Sequence, residues 1–213
     1  MSEETGLGVS RRGLFSRVGA GCLAVVGGGL LLPDPPWSPD PADDTTVHET
    51  VPEVDESAVP YAVWQHKYEN DAFEPTAPVN VVFPLEQATF QDVIDVFRDA
   101  NWYDYPEEYA RYAWDRREES FTLQQWTGAE TYFGKVGRHH VRCWQTDGTA
   151  SIQAHVDTAA TPKHGIVSYA QGRTAVEDLF SAAGWIVDDE RLPLGNESDP
   201  DHDGWASVIR GVE

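Results

Sequence analysis

Arginine, histidine and tryptophan recur at alternate positions within one short stretch, Arg138 to Thr158, RHHVRCWQTDGTASIQAHVDT. Imidazole and carboxylate groups are ligands that first-row transition metals favour, and the planar guanidinium fork matches the oxygens of a phosphate or carboxylate. His140, His155 and Asp157 are therefore candidate ligands for a divalent transition metal, and His164 is an alternative third ligand. Arg142 is a candidate clamp for an anion, with Arg138 and Trp144 as further ligand-binding candidates. No nucleophile elbow, Ser-His-Asp order or phosphate-binding glycine loop stands elsewhere, so nothing independent of this cluster calls for an enzyme. Asp199-x-Asp201-x-Asp203-Gly204 begins like a calcium loop, but Arg210 occupies the place of the bidentate Glu. An acidic turn ahead of a strand over 205–209 is the better reading.

A β-hairpin would bring these side chains together. Asp147-Gly148 lies between two alternating runs and suits a two-residue turn with φ above zero at both central positions. Thr146 then faces Thr149, which sets His140 against His155, Arg142 against Gln153, Trp144 against Ser151 and Arg138 against Asp157. Val141, Cys143, Ala150, Ile152, Ala154 and Val156 fall on the opposite, apolar face, where Cys143 is a buried structural thiol rather than a nucleophile. The β-carbons of His140 and His155 would lie about 4.5 to 5.5 Å apart, close enough to share one ion. A solvated face in so acidic a chain should be rich in Asp and Glu, yet this one collects cations and histidines. Two readings stay open: an anion or metal site, or a covered polar cluster in which Arg138 pairs with Asp157.

Around the hairpin, an internal repeat sets the architecture. Val93 to Trp102, VIDVFRDANW, and Val176 to Trp185, VEDLFSAAGW, match at five of ten positions without a gap. Both place apolar residues at helical spacing, and Asn101 and Gly184 follow at corresponding left-handed helix ends. Thr89 with Asp92 and Thr174 with Glu177 have the spacing of capping boxes. Short apolar runs over 79–83 and 165–169 precede the two helices. The fold class is thus α+β: a mixed or antiparallel sheet with two pseudo-symmetric strand-helix-Trp units and the central hairpin. Between the copies, Pro106 and EEYARYAWDRRE suggest a short helix, and 121–126 alternates like a strand.

Three segments follow from composition. Residues 1–32 carry Arg11-Arg12 before a mild, glycine-containing apolar run and resemble a twin-arginine export signal, cut or kept as an anchor. Residues 33–60 hold seven prolines and many acids and read as a disordered linker. Residues 61–213 form a single domain. Once 1–32 are removed Cys143 is the only cysteine, so no intramolecular disulfide supports it. Of 213 residues, 36 are acidic and 15 basic, giving a formal charge of −21. Such an acidic, lysine-poor composition fits a halophilic source, and it argues against nucleic acid as a partner because phosphate binding needs clustered cations. Membrane contact would come only through the N-terminal segment.

The apolar strand from Val79, the helix ending near Trp102, His140-x-Arg142-x-Trp144, His155-x-Asp157 and His164 together resemble the LssY C-terminal-like domain family, over about residues 79–190. HHVRCW is the most specific piece. That resemblance implies an exported or membrane-associated domain, although the membrane-embedded phosphatase-type or DedA-type modules joined to some members are not found in this sequence. The expectation is an extracytoplasmic protein, secreted or tethered to the outer face of the cell membrane. It would be a non-catalytic binding or structural module. The alternative is a metal-assisted hydrolase, or a binder, of a phosphorylated or otherwise anionic envelope component.

Overall fold

The computed structural model describes residues 60–104, 109–131, 137–146, 148–158 and 165–212. The twin-arginine segment, nearly all of the Pro-rich linker, Asp147 and His164 lie outside them. Among the described residues the architecture is α+β, two helices with two sheets, and their order begins with a hairpin. Strands β1 (Trp64–Glu69) and β2 (Ala72–Pro78) are joined by Asn70 and Asp71, at φ of 54° and 61°. Two left-handed residues are what a tight hairpin turn of the favoured twist requires, and Asn and Asp tolerate that region best after glycine. Strand β3 (Val81–Pro84) leads to helix α1 (Phe90–Asp99), then β4 (Tyr103–Asp104), β5 (Tyr112–Asp115), β6 (Ser120–Leu123) and β7 (Trp126–Ala129). The predicted hairpin follows as β8 (His139–Thr146) and β9 (Thr149–Asp157). After it come β10 (Ile166–Ser168), helix α2 (Tyr169–Ala182), β11 (Ile186–Val187), β12 (Leu192–Pro193) and β13 (Trp205–Arg210).

The large sheet has the order β11-β13-β3-β9-β8-β7-β4, with β10 also paired to β9 and β12 to β13. It is mixed: β13 runs parallel to β3, and the other pairs are antiparallel. On one side it carries both helices, over a core that includes Phe83, Phe97, Val141, Cys143, Ile152, Ala154, Val176 and Phe180. A second sheet, β2-β1-β5-β6, contributes to the core on the other side, where Val63 and Ala113 meet Val82, Trp144, Ala206 and Val208. An α layer and two β layers result, and the hairpin lies in the middle one.

The capping box at Thr89 and Asp92 is present, and Asn101 and Gly184 take left-handed φ of 62° and 87°. Trp102 and Trp185 are half-buried and pack edge-on against Phe97 and against Phe83 and Phe180. The Thr174–Glu177 box is corrected: α2 begins six residues earlier, behind Ser168. The Ser168 hydroxyl accepts from the Gln171 amide at 2.9 Å, and the Asp201 carboxylate adds to this cap by accepting from the Ser168 hydroxyl and the Tyr169 and Ala170 amides. The expected helix after Pro106 is corrected too. Tyr112 to Asp115 is a strand, because Tyr112 and Trp114 alternate with Ala113 and turn their rings to Phe73 and Phe121 on the side away from the large sheet. The single strand read over 121–126 is two strands, β6 and β7, belonging to different sheets.

Asn80 settles a gap in the large sheet. Along one edge of β9, β3 ends at Ile152 and β10 begins near Val156, so Ala154 has no strand beside it. The buried Asn80 side chain takes that place: its amide nitrogen donates to the Ala154 carbonyl at 2.8 Å, and its oxygen accepts from the Ala154 amide at 2.9 Å. A primary amide carries the same donor and acceptor as a peptide group and can stand in for a missing strand residue.

Candidate functional site

The hairpin register is the one the Asp147-Gly148 turn predicts. Thr146 faces Thr149, Trp144 faces Ser151, Arg142 faces Gln153 and His140 faces His155. Arg138 lies opposite Asp157, whose amide donates to the Arg138 carbonyl at 3.0 Å. Gly148 sits at φ 68°, as the second turn position demands.

The face they share is sealed. Arg138, His140, Arg142, Trp144, Gln153, His155 and Asp157 are all buried, Arg142 being the most exposed at 6%. The cover over the upper part comes from the second sheet and its lead-in. Arg142 donates to the Gln65 side-chain oxygen of β1 at 3.2 Å, the Trp144 indole donates to the Arg111 carbonyl at 3.4 Å, and the Ala62 amide donates to the Ser151 hydroxyl at 3.0 Å. Burying such groups is tolerable only when they are hydrogen-bonded or paired. The arrangement is neither the concave pocket of a ligand site nor an open flat sheet.

At the lower end, the Arg138 Nε donates to Asp157 Oδ2 at 2.6 Å, a buried charge-assisted bond. The other carboxylate oxygen, Oδ1, lies 2.9 Å from His155 Nε2. His155 Nδ1 in turn lies 2.9 Å from the Gln153 amide nitrogen and 3.2 Å from its oxygen. The Asp157 carboxylate can only accept, so the facing Nε2 carries a proton, and a neutral His155 then accepts at Nδ1 from the Gln153 amide. His140 stands edge-on to His155 with ring centroids 5.0 Å apart. One ligand atom each from His140, His155 and Asp157 falls within 4.8 Å of the other two. These three are therefore the described residues able to hold a metal ion.

Helix α2 presses on this group from behind. Gly172 is packed so closely that a β-carbon there would come within 2.5 Å of the Cα and N of His155. Sequence reading did not single out Gly172, nor Gln65 or Asn80, as members of the site. A lone glycine inside a helical pattern was the available signal for close backbone approach. Gln65 had none, because nothing local shows that β1 crosses over the hairpin.

The acidic stretch over 199–204 forms no calcium loop. Asp201 caps α2, and Asp203 forms a two-pronged pair with the buried Arg173 at 2.7 and 3.0 Å, which pulls its carboxyl down to about 2. Cys143 is buried in the helix-side core, and burial pushes its thiol well above the usual range, as a structural thiol requires. On the surface, an open depression of about 420 Å³ lies between His139 and α2 residues such as Gln171, Thr174 and Asp178. Among the described residues no helix is long and apolar enough to cross a membrane. The chain matches no protein-family model, no curated protein and no solved structure.

Proposed function

We propose that this chain is an exported or membrane-tethered envelope domain, of LssY C-terminal-like kind, that serves as a binding or structural module rather than a catalyst. The observation that carries the non-catalytic part is the burial of the hairpin's polar face, none of whose described candidate residues is more than 6% exposed. A catalyst must present reacting groups to its substrate, whereas here Arg138 is paired with Asp157, Arg142 is bonded to Gln65 of the second sheet, and His155 lies between Gln153 and Asp157, all out of reach of solvent. The twin-arginine motif, the Pro-rich segment after it and the charge of −21 support the address and a salt-rich setting. The shared pattern around Trp102 and Trp185, each closing a strand-helix segment against one core, supports a duplicated unit.

Stability measurements on His140→Ala test the reading. A structural network loses about 1 to 3 kcal/mol when a buried partner is removed, and a ligand site typically loses nothing or gains. Unchanged or raised stability would overturn the structural form of the module and leave the binding form. So would hydrolysis of a phosphate ester by the wild-type chain that Arg142→Ala abolishes, which would support the anion-directed hydrolase instead.

A further inference from the structure

We infer that His140, His155 and Asp157 bind one divalent transition-metal ion, zinc or a first-row metal of similar preference, inside the polar network of the hairpin. This concerns the network's chemistry and stands apart from the proposed address and from the question of catalysis. The first support is convergence. Two imidazoles and a carboxylate from adjacent strands bring one ligand atom each within 4.8 Å of the others, in a region sealed from solvent. A tetrahedral ion with bonds of about 2.0 to 2.2 Å needs ligand atoms roughly 3.3 to 3.6 Å apart. Asp157 Oδ1 and His155 Nε2, 2.9 Å apart, would have to part by about half an ångström, and a pair at the 4.8 Å limit would have to close by roughly 1.2 to 1.5 Å.

The second support is the surrounding shell. Metal-bound histidines are usually held by a hydrogen bond at the other ring nitrogen, and metal-bound carboxylates by a bond at the second oxygen. Both are present. Arg138 holds Asp157 Oδ2, which aims Oδ1 inward. Gln153 stands at His155 Nδ1 with its amide nitrogen at 2.9 Å and its oxygen at 3.2 Å, so it can serve either imidazole tautomer. Without an ion, Gln153 donates to Nδ1 and the Nε2 proton bridges to Asp157. With an ion, the Nε2–H bond breaks, Nε2 gives its lone pair to the metal, and the proton is carried at Nδ1, where the Gln153 oxygen accepts it. One N–H bond is lost, one is formed, and no oxidant or reductant is involved. Three protein ligands leave a fourth position for water, and an imidazole and carboxylate set favours zinc or cobalt over calcium or magnesium.

The test uses the full chain, purified without an affinity tag, stripped with chelator and titrated with Co(II). One equivalent should bind with the visible absorption of a four-coordinate site, be displaced by Zn(II), and raise Tm. Cys143→Ser should behave as wild type, because that thiol lies on the opposite face. Asp157→Asn keeps the shape and should bind at least about 100-fold more weakly, and His140→Phe should lose the absorption while filling the same space. If one of these variants does not fold, the other carries the comparison. Folded wild type that takes up no stoichiometric metal overturns the inference, as does binding retained in folded His140→Phe or lost in Cys143→Ser.

Discussion

Arg138 and Asp157 form a buried ion pair, and such pairs are strongly destabilising to break because one charge is left stranded. Arg138→Leu should therefore cost about 3 to 5 kcal/mol in urea unfolding, and adding Asp157→Leu should recover part of that loss, since no lone charge remains. Strict additivity of the two changes would contradict the pairing. A second expectation concerns pH. Burial above all holds both His66 and His202 down to about 4; backbone hydrogen bonds oppose the shift in His66, and the Arg173 charge adds to it in His202. The unfolded chain protonates these rings near pH 6.5, so unfolding takes up protons between about 6.5 and 4. Their stabilising contribution is complete above 6.5 and is lost as pH falls toward 4, by up to about 1.4 kcal/mol per pH unit for each proton. Denaturant midpoints should fall from pH 7 to pH 5, with a flatter profile in His202→Gln. The pairing of Arg138 with Asp157 was legible because a turn and an alternating pattern fix a register. The roles of His66 and His202 were not, because burial by residues far along the chain decides them.

Helix α2 reaches β9 only because residue 172 has no side chain. Gly172→Ala would ordinarily favour a helix by nearly 1 kcal/mol, but a β-carbon 2.5 Å from the His155 backbone reverses the sign. We expect a net loss of about 1 to 3 kcal/mol, a lower Tm, and displaced imidazole signals for His155 in the NMR spectrum. A stabilised variant would mean that the helix stands further off. Elements with strong local punctuation were legible in the sequence, among them the central hairpin, helix α1 with its Thr89 box, and the strand after Gly204. The N-terminus of α2 has a local cap, Ser168 accepting from the Gln171 amide, but Thr174 with Glu177 offers a competing start of the same kind, and the reinforcement that Asp201 gives the true one comes from more than thirty residues downstream. Strand β5 was taken for a helix because a short run with aromatics at 109 and 112 satisfies helical spacing as well as alternation. Its pairing with β1 and β6 decides the matter, and no local pattern encodes it.

Across the whole molecule, the α+β class followed from the repeat and the hairpin, while the second sheet went unseen. Its β1–β2 turn, Asn70-Asp71, lacks the glycine that marks the commoner hairpin signal. That omission left the hairpin's polar face looking open, with a site or a buried cluster equally available. At this scale the address is also testable. Replacing Arg11 and Arg12 by Lys removes the planar guanidinium pair on which twin-arginine recognition depends, and folded protein should then accumulate in the cytoplasm. Unchanged export in a fractionation assay would assign another route.

The parallel pairing of β13 with β3 sets Ser207 beside Val81, 126 positions earlier in the chain. During synthesis, one edge of β3 therefore waits uncovered until the ribosome has released residues 205–210, and the sheet cannot be completed sooner. A chaperone meeting the nascent chain would find an apolar strand edge to hold throughout that interval. On the export route proposed above, the docking of this late strand would mark the moment at which the folded chain becomes fit to leave.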